Sequence, residues 1–249
     1  MPQLTVSATS LEKFLTCPYQ YVMYRQLRPK SVAKALQDGL DAHAILSGED
    51  TATTPSIEAT TYASFLSSLE GNKGYDILER EYTNYVRIKQ GAVLHRRVDF
   101  LALTKFSVPC VGDYKTSKWQ WAVVERTVPR SQGIQAIAYT WPAVLPKRGS
   151  LVGRRLRGEW PSKCDFLVCT LSGWADVFAY QRNESDMNEF VETVDMVRDA
   201  TRLGRFPRHK GYVCGNCDFA KACFERVGWE DAYDERRPDP EPDDAEDTK

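Results

Sequence analysis

The spacing of apolar and polar positions divides the chain into segments of different period. From Val32 to Leu46 apolar residues recur at helical spacing, with Leu36, Leu40 and His43 on one face, so His43 is predicted to point inward. Ahead of it, Thr9-Ser10-Leu11-Glu12 has capping-box spacing and opens a short helix with Leu11, Phe14 and Leu15 as its apolar side, interrupted or restarted at Pro18. Residues 49–61 read as a polar surface loop and Tyr62 to Leu69 as another short helix. Three strand-like runs follow, Tyr75 to Lys89, Ala92 to Leu103 and Cys110 to Thr116, with a turn at Gln90-Gly91 and a break at Ser107-Val108-Pro109; together they predict a meander. Gln132 to Leu145 is helical until Pro142 disturbs it, and Cys164 to Leu171 with Ala175 to Gln181 forms a hairpin about Ser172-Gly173. Asn183 to Leu203 carries the helical stripe Met187, Phe190, Val191, Val194 and Val197 and stops at Gly204.

The chain has 249 residues, 42% of them hydrophobic, enough for a sizeable core, and one compact domain is expected over residues 1–229. It contains no run of eighteen apolar residues, and its N-terminus lacks a basic stretch followed by an apolar one. Neither a membrane span nor a secretory signal is therefore expected, and the location implied is the cytoplasm of a prokaryotic cell or of a virus's host. From Glu230 to Lys249 ten acidic residues stand against three basic ones, a charge of −7 that leaves +6 on the remainder. Residues 230–249 read as a disordered acidic tail, and the mildly basic body suits a nucleic-acid ligand.

The candidate chemistry lies on the second and third strand-like runs. Side chains alternate along a strand, so Asp113 and Lys115 project from the same side, and Asp99 can join them from the neighbouring strand. Two carboxylates offer hard oxygen ligands to a divalent cation, which polarises a phosphate and acidifies a bound water, and a lysine beside them can offset the charge that grows on the phosphate. An exposed strand face with a cross-strand ion pair is the bland alternative for a bare D-x-K. Glu79 or Glu81 is a further acidic residue for the same site.

The order Arg97-Val98-Asp99, Asp113-Tyr114-Lys115-Thr116, then Gln135-Ala136-Ile137-Ala138-Tyr139 resembles the PD-(D/E)xK nucleases of the RecB exonuclease family. His43, following Gly39, is similar to the family's upstream histidine. The resemblance implies an α/β, restriction-endonuclease-like core with a mixed central sheet flanked by helices. It implies metal binding (Mg2+ or Mn2+) by His43, Asp99, Asp113 and the Tyr114 carbonyl, catalysis by Lys115 with Asp113 and Asp99, and DNA contact by Gln135 and Tyr139. One departure is visible: Arg96 stands where the family has glycine three positions before the first aspartate.

Seven cysteines are present, and Cys214, Cys217 and Cys223 fall within ten residues, a spacing that suits metal or cluster ligation better than disulfides. A fourth ligand is needed, and Cys17 in Cys17-Pro18-Tyr19-Gln20-Tyr21 is the candidate. A four-cysteine zinc site fits the same C-x2-C half. The split of one N-terminal and three C-terminal cysteines resembles the iron-sulfur members of the RecB family, among them the CRISPR-associated Cas four exonucleases and their phage or archaeal-virus homologues. It implies one [4Fe-4S] cluster joining the terminal helical segments.

Cys110, Cys164 and Cys169 lie in apolar runs and read as core. Trp119 and Trp121 are candidates for base stacking, and the stretch from Lys147 to Lys163 for a basic loop. The function implied is metal-dependent exonucleolytic cleavage of DNA, single-stranded or at ends. Its partners would be DNA and a helicase, recombination or CRISPR adaptation protein, with a homo-oligomer compatible and no membrane. A catalytically silent DNA-binding module of the same fold and a zinc-ribbon nucleic-acid protein are the rival classes.

Overall fold

The structure is a computed structural model that describes residues 3–26, 28–29, 34–49, 54–89, 91–117, 124, 133–143, 151–156, 158–209, 214, 217, 219–220, 223 and 233–234. In chain order its elements begin with β1 (Leu4–Val6), α1 (Ala8–Thr16), α2 (Pro18–Gln26), β2 (Arg28–Pro29), α3 (Lys34–Ser47) and α4 (Ile57–Lys73). The strands β3 (Asp76–Lys89), β4 (Ala92–Leu103) and β5 (Pro109–Ser117) follow, then α5 (Gly133–Thr140) and α6 (Leu151–Arg155). The chain continues with β6 (Lys163–Thr170), β7 (Ala175–Gln181), α7 (Glu184–Leu203) and β8 (Tyr233–Asp234). Two compact units form, one of Met1–Ala8 with Ala33–Asp195 and one of Thr9–Val32 with Met196–Lys249.

The first unit is built on a six-stranded mixed sheet. β3 runs antiparallel along the whole of β4, as the Gln90-Gly91 turn predicts. The other edge of β4 is shared. Its first residues pair in parallel with β1, from Leu4 with Ala92 to Val6 with Leu94, and its last residues pair antiparallel with β5, from Phe100 with Gly112 to Leu103 with Pro109. β5 then lies parallel to β6, and β6–β7 is the expected hairpin. The predicted meander therefore covers only β3 to β5; a parallel pair needs a long crossover, here the segment carrying α5 and α6.

Alternation along β5 splits its functions. Tyr114 faces α3 and α4, where it packs with Ala42, Tyr62, Leu66, Phe100 and Leu167, while Asp113 and Lys115 project from the opposite face, on which α5 packs. Two glycines permit close approach. A Cβ on Gly112 would lie 1.8 Å from the Phe100 ring, and one on Gly39 of α3 would lie 3.0 Å from the Thr116 hydroxyl of β5.

Several boundaries differ from the sequence reading. α4 begins at Ile57, inside the expected loop, because the Ser56 hydroxyl accepts the Ala59 N–H and caps it; Gly74, at φ 68°, ends it. α1 begins at Ala8, which puts Thr9 inside the first turn instead of at the cap. Leu40 is 51% exposed, and Asp38 and Ala42 take the buried positions of α3. Cys110, Cys164 and Cys169 are buried as expected. In the expected basic loop, Arg155 pairs with Asp76 and Lys163 with Asp165. Trp119, Trp121, Lys147, Arg148 and Arg157 lie outside the described residues, as does most of the acidic tail, whose Tyr233–Asp234 pairs with Arg28–Pro29.

Candidate metal centre and active site

β4 and β5 stop pairing at Phe100 and Gly112, and the site forms one step further on. There the Asp99 carboxylate accepts the Tyr114 backbone N–H at 2.6 Å, supplying the acceptor that the ladder no longer provides. His43 reaches the same place from α3. Its Nδ1 lies 3.4 Å from Asp99 Oδ2, its Nε2 is 3.2 Å from the Tyr114 carbonyl oxygen, and its ring sits edge-on to Tyr114. Burial acts to lower the His43 pKa, but the neighbouring Asp99 charge and hydrogen bond outweigh it and raise the value. Burial likewise acts to raise the Asp99 pKa, and His43 with the Tyr114 N–H holds it below the ordinary range.

The structure chooses between the two glutamates left open by the sequence. Glu81 lies between the β3–β4 pairs Arg80–Phe100 and Tyr82–Val98, hence across from Asp99, and ligand atoms of His43, Glu81 and Asp99 all fall within 4.8 Å of one another. Its backbone has φ 53°, a left-handed conformation costly for a residue with a side chain and characteristic of functional positions. Arg97 Nε donates to Glu81 Oε2 at 2.6 Å. Burial and the Asp99 charge leave the Glu81 carboxyl pKa raised despite Arg97. Counting pairs outward from the Gln90-Gly91 turn would bring Glu81 closer than Glu79 to the position across from Asp99, a signal that the sequence reading did not use.

Asp113, one position beyond Gly112 and so across from Asp99, is 2% exposed. Its Oδ2 is 2.6 Å from Lys115 Nζ, and its Oδ1 accepts from Gln135 Nε2 at 3.0 Å. Gln135 Nε2 also donates to the Tyr139 hydroxyl at 2.6 Å, so the residues one helical turn apart on α5 act together on Asp113. Tyr139 is itself buried. Burial pushes the Asp113 carboxyl up to about 6, with Lys115 opposing. Burial acts to lower the Lys115 pKa, yet Asp113 raises it above the ordinary value and keeps the ammonium charged. Tyr114 is anchored through its hydroxyl, which donates to Glu70 and accepts from Arg80.

The donor set fits a hard divalent cation: two carboxylates and an imidazole close together, with the Tyr114 carbonyl alongside. The structure thus brings together His43, Asp99 and Tyr114, adds Glu81, and places Asp113 with Lys115 and Gln135.

In the second unit Cys17, Cys214, Cys217 and Cys223 line one cavity with Met23, Phe219 and Ala220. Cys17 Sγ accepts the His209 backbone N–H at 3.4 Å, and Cys217 Sγ accepts from Gln20 Nε2 at 3.5 Å.

This α/β fold, a mixed central sheet flanked by helices with acidic residues and a lysine where two strands part, has the form of a PD-(D/E)XK nuclease core. The family model of the PD-(D/E)XK nuclease superfamily matches residues 5–70, which include His43 but precede the strands bearing Asp99 and Asp113. Among solved structures, a putative exonuclease from Eubacterium rectale is similar at 13% identity and a TM-score of 0.50, over 85% of this chain and 86% of that one. LHK-Exo, an alkaline exonuclease from Laribacter hongkongensis solved in complex with dAMP, is similar at 9% identity and a TM-score of 0.41, over 91% of this chain and 95% of that one. No curated protein matches.

Proposed function

We propose that this chain is a metal-dependent deoxyribonuclease that hydrolyses phosphodiester bonds of single-stranded DNA or of DNA ends. The observation that carries this reading is the gathering of His43, Glu81 and Asp99 within 4.8 Å, beside the carbonyl of Tyr114, which lies on the same strand as the Asp113–Lys115 pair. His43, Glu81, Asp99, Asp113 and the Tyr114 carbonyl are the groups that would hold Mg2+ or Mn2+. When bound, such an ion supplies Lewis acidity toward a phosphoryl oxygen and lowers the pKa of water. Lys115, kept protonated by Asp113, provides fixed positive charge for the phosphate as its own charge grows. Gln135 fixes the Asp113 rotamer, and Asp99 holds the Tyr114 backbone so that its carbonyl faces His43. The +6 charge of residues 1–229 favours a polyanion, and the superfamily match over residues 5–70 supports the same activity.

The test is Mg2+- or Mn2+-dependent degradation of end-labelled single-stranded DNA by wild type beside Asp113→Ala. Cleavage that disappears in the variant is expected; equal rates would remove the reading.

In the second unit the reading assigns one [4Fe-4S] cluster to Cys17, Cys214, Cys217 and Cys223. Its support is the cavity these four line and the N–H donors aimed at two of their sulfurs, which stabilise thiolates.

A further inference from the structure

We propose that Arg96 is a positioning residue: by holding the backbone carbonyls at the C-terminal end of α5, it fixes that helix so that Gln135 keeps Asp113 in place. The inference rests on the metal-site reading above.

Arg96 is 1% exposed on β4, and among the described residues none of its hydrogen-bond partners is a carboxylate. Nε donates to Asn84 Oδ1 at 2.7 Å, and Nη1 donates to the Trp141 carbonyl at 2.6 Å and the Tyr139 carbonyl at 3.4 Å. The guanidinium lies 3.6 Å over the Trp160 ring. A buried cation without an acid is expensive, and burial pushes this one down to about 9. What offsets the cost is the end of α5, whose last carbonyls have no intrahelical donors and carry partial negative charge, together with the aromatic face.

The clamp is wider than one residue. Trp160 Nε1 donates to the Tyr139 carbonyl at 2.5 Å, and Arg182 donates to the Thr140 carbonyl. Three successive carbonyls are therefore held from β4, from Trp160 and from Arg182. Tyr139 links this end to the site: its carbonyl is gripped by Arg96 and Trp160, while its hydroxyl accepts from the same Gln135 nitrogen that donates to Asp113. Apolar packing would fill the volume of Arg96 at less cost, whereas a planar fork fixes direction as well as distance.

The experiment measures Mn2+ binding to the full chain by titration calorimetry without DNA, alongside urea midpoints, for Arg96→Met, Arg96→Lys, Gln135→Met, the double variants and Asp113→Ala. Arg96→Met and Gln135→Met should each weaken Mn2+ binding about tenfold. The double variant should be no weaker than Gln135→Met alone, since both act along one path. Arg96→Lys, which keeps the charge and loses the fork, should fall between wild type and Arg96→Met, and it carries the same comparison if Arg96→Met does not fold. A lowered urea midpoint with wild-type Mn2+ affinity, or losses that multiply in the double variant, would overturn the proposal while Asp113→Ala still reports an intact metal site. Wild type that binds Mn2+ no better than Asp113→Ala would overturn the metal-site reading, and the proposal with it.

Discussion

Asp99 stands in for a missing strand partner: its Oδ2 accepts the Tyr114 N–H at 2.6 Å just beyond the last β4–β5 pair, Phe100 with Gly112. One carboxylate thus closes the backbone and offers a ligand. Asp99→Asn keeps an acceptor but loses the charge paired with His43, so its urea midpoint should fall less than that of Asp99→Ala while cleavage falls about a hundredfold or more. Asp99→Ala also strands a buried N–H and should cost a further ~1–3 kcal/mol in urea unfolding. If the two variants unfold alike, the backbone role is wrong.

Glu81 combines a left-handed backbone with a side chain in the donor group. Glu81→Gly relieves the strain and removes the carboxylate. Its bond to Arg97, whose side chain is 59% exposed, contributes little. Stability in urea should hold or rise by up to about 1 kcal/mol, while the metal concentration for half-maximal cleavage rises about tenfold. Glu81→Gln should show the metal effect without the gain in stability. Unchanged metal dependence in both would exclude Glu81 from the site.

Gly112 lies under the Phe100 ring, where a Cβ would come within 1.8 Å. Phe100 is buried in the core and cannot swing away without a cavity. Gly112→Ala should lower stability by about 1–3 kcal/mol, and Gly71→Ala on α4, where a Cβ meets nothing within 4 Å, serves as the control. Equal urea midpoints would show that the ring has room.

Alkaline pH should destabilise the fold through buried tyrosines. Burial pushes Tyr62 up to about 12, and burial with the 2.7 Å bond to Asp165 holds Tyr75 higher still. A tyrosine whose folded pKa exceeds its unfolded value of about 10 stabilises fully below pH 10, and that contribution is lost as pH rises through the folded pKa. Urea midpoints should be level to about pH 10 and fall above it. Tyr75→Phe should fall less steeply, by about 1 kcal/mol per pH unit; parallel slopes would contradict this assignment.

The four cysteines of the second unit make a spectroscopic prediction. Anaerobically purified protein should contain iron and absorb broadly in the visible, and Cys17→Ala or Cys217→Ala should lose both. Stoichiometric zinc with no visible band would decide for the other metal. Gln20→Leu, which removes a donor to Cys217 without removing a ligand, should retain the band but shift its reduction potential.

Local pattern was enough for β3, β4, β5, the β6–β7 hairpin and α7, because strand and helix periods depend only on neighbours in the chain. The same holds for Asp113 and Lys115, two positions apart on a strand and 2.6 Å apart in space. What the sequence by itself determined was therefore the period of each element and the short-range spacing of its reactive groups. Tertiary structure decided the rest. β1 joins β4, and β5 runs parallel to β6, because packing selects partners that spacing does not encode. Glu81 lies directly across from Asp99 because the register slips by one residue between Arg87 and Lys89, beside the turn. Leu40 is exposed because the buried side of α3 is chosen by the elements it meets. Arg96 can be buried only because carbonyls more than forty residues away offset its charge. Register, burial and charge compensation depend on groups far apart in the chain, and only the assembled fold brings them within reach.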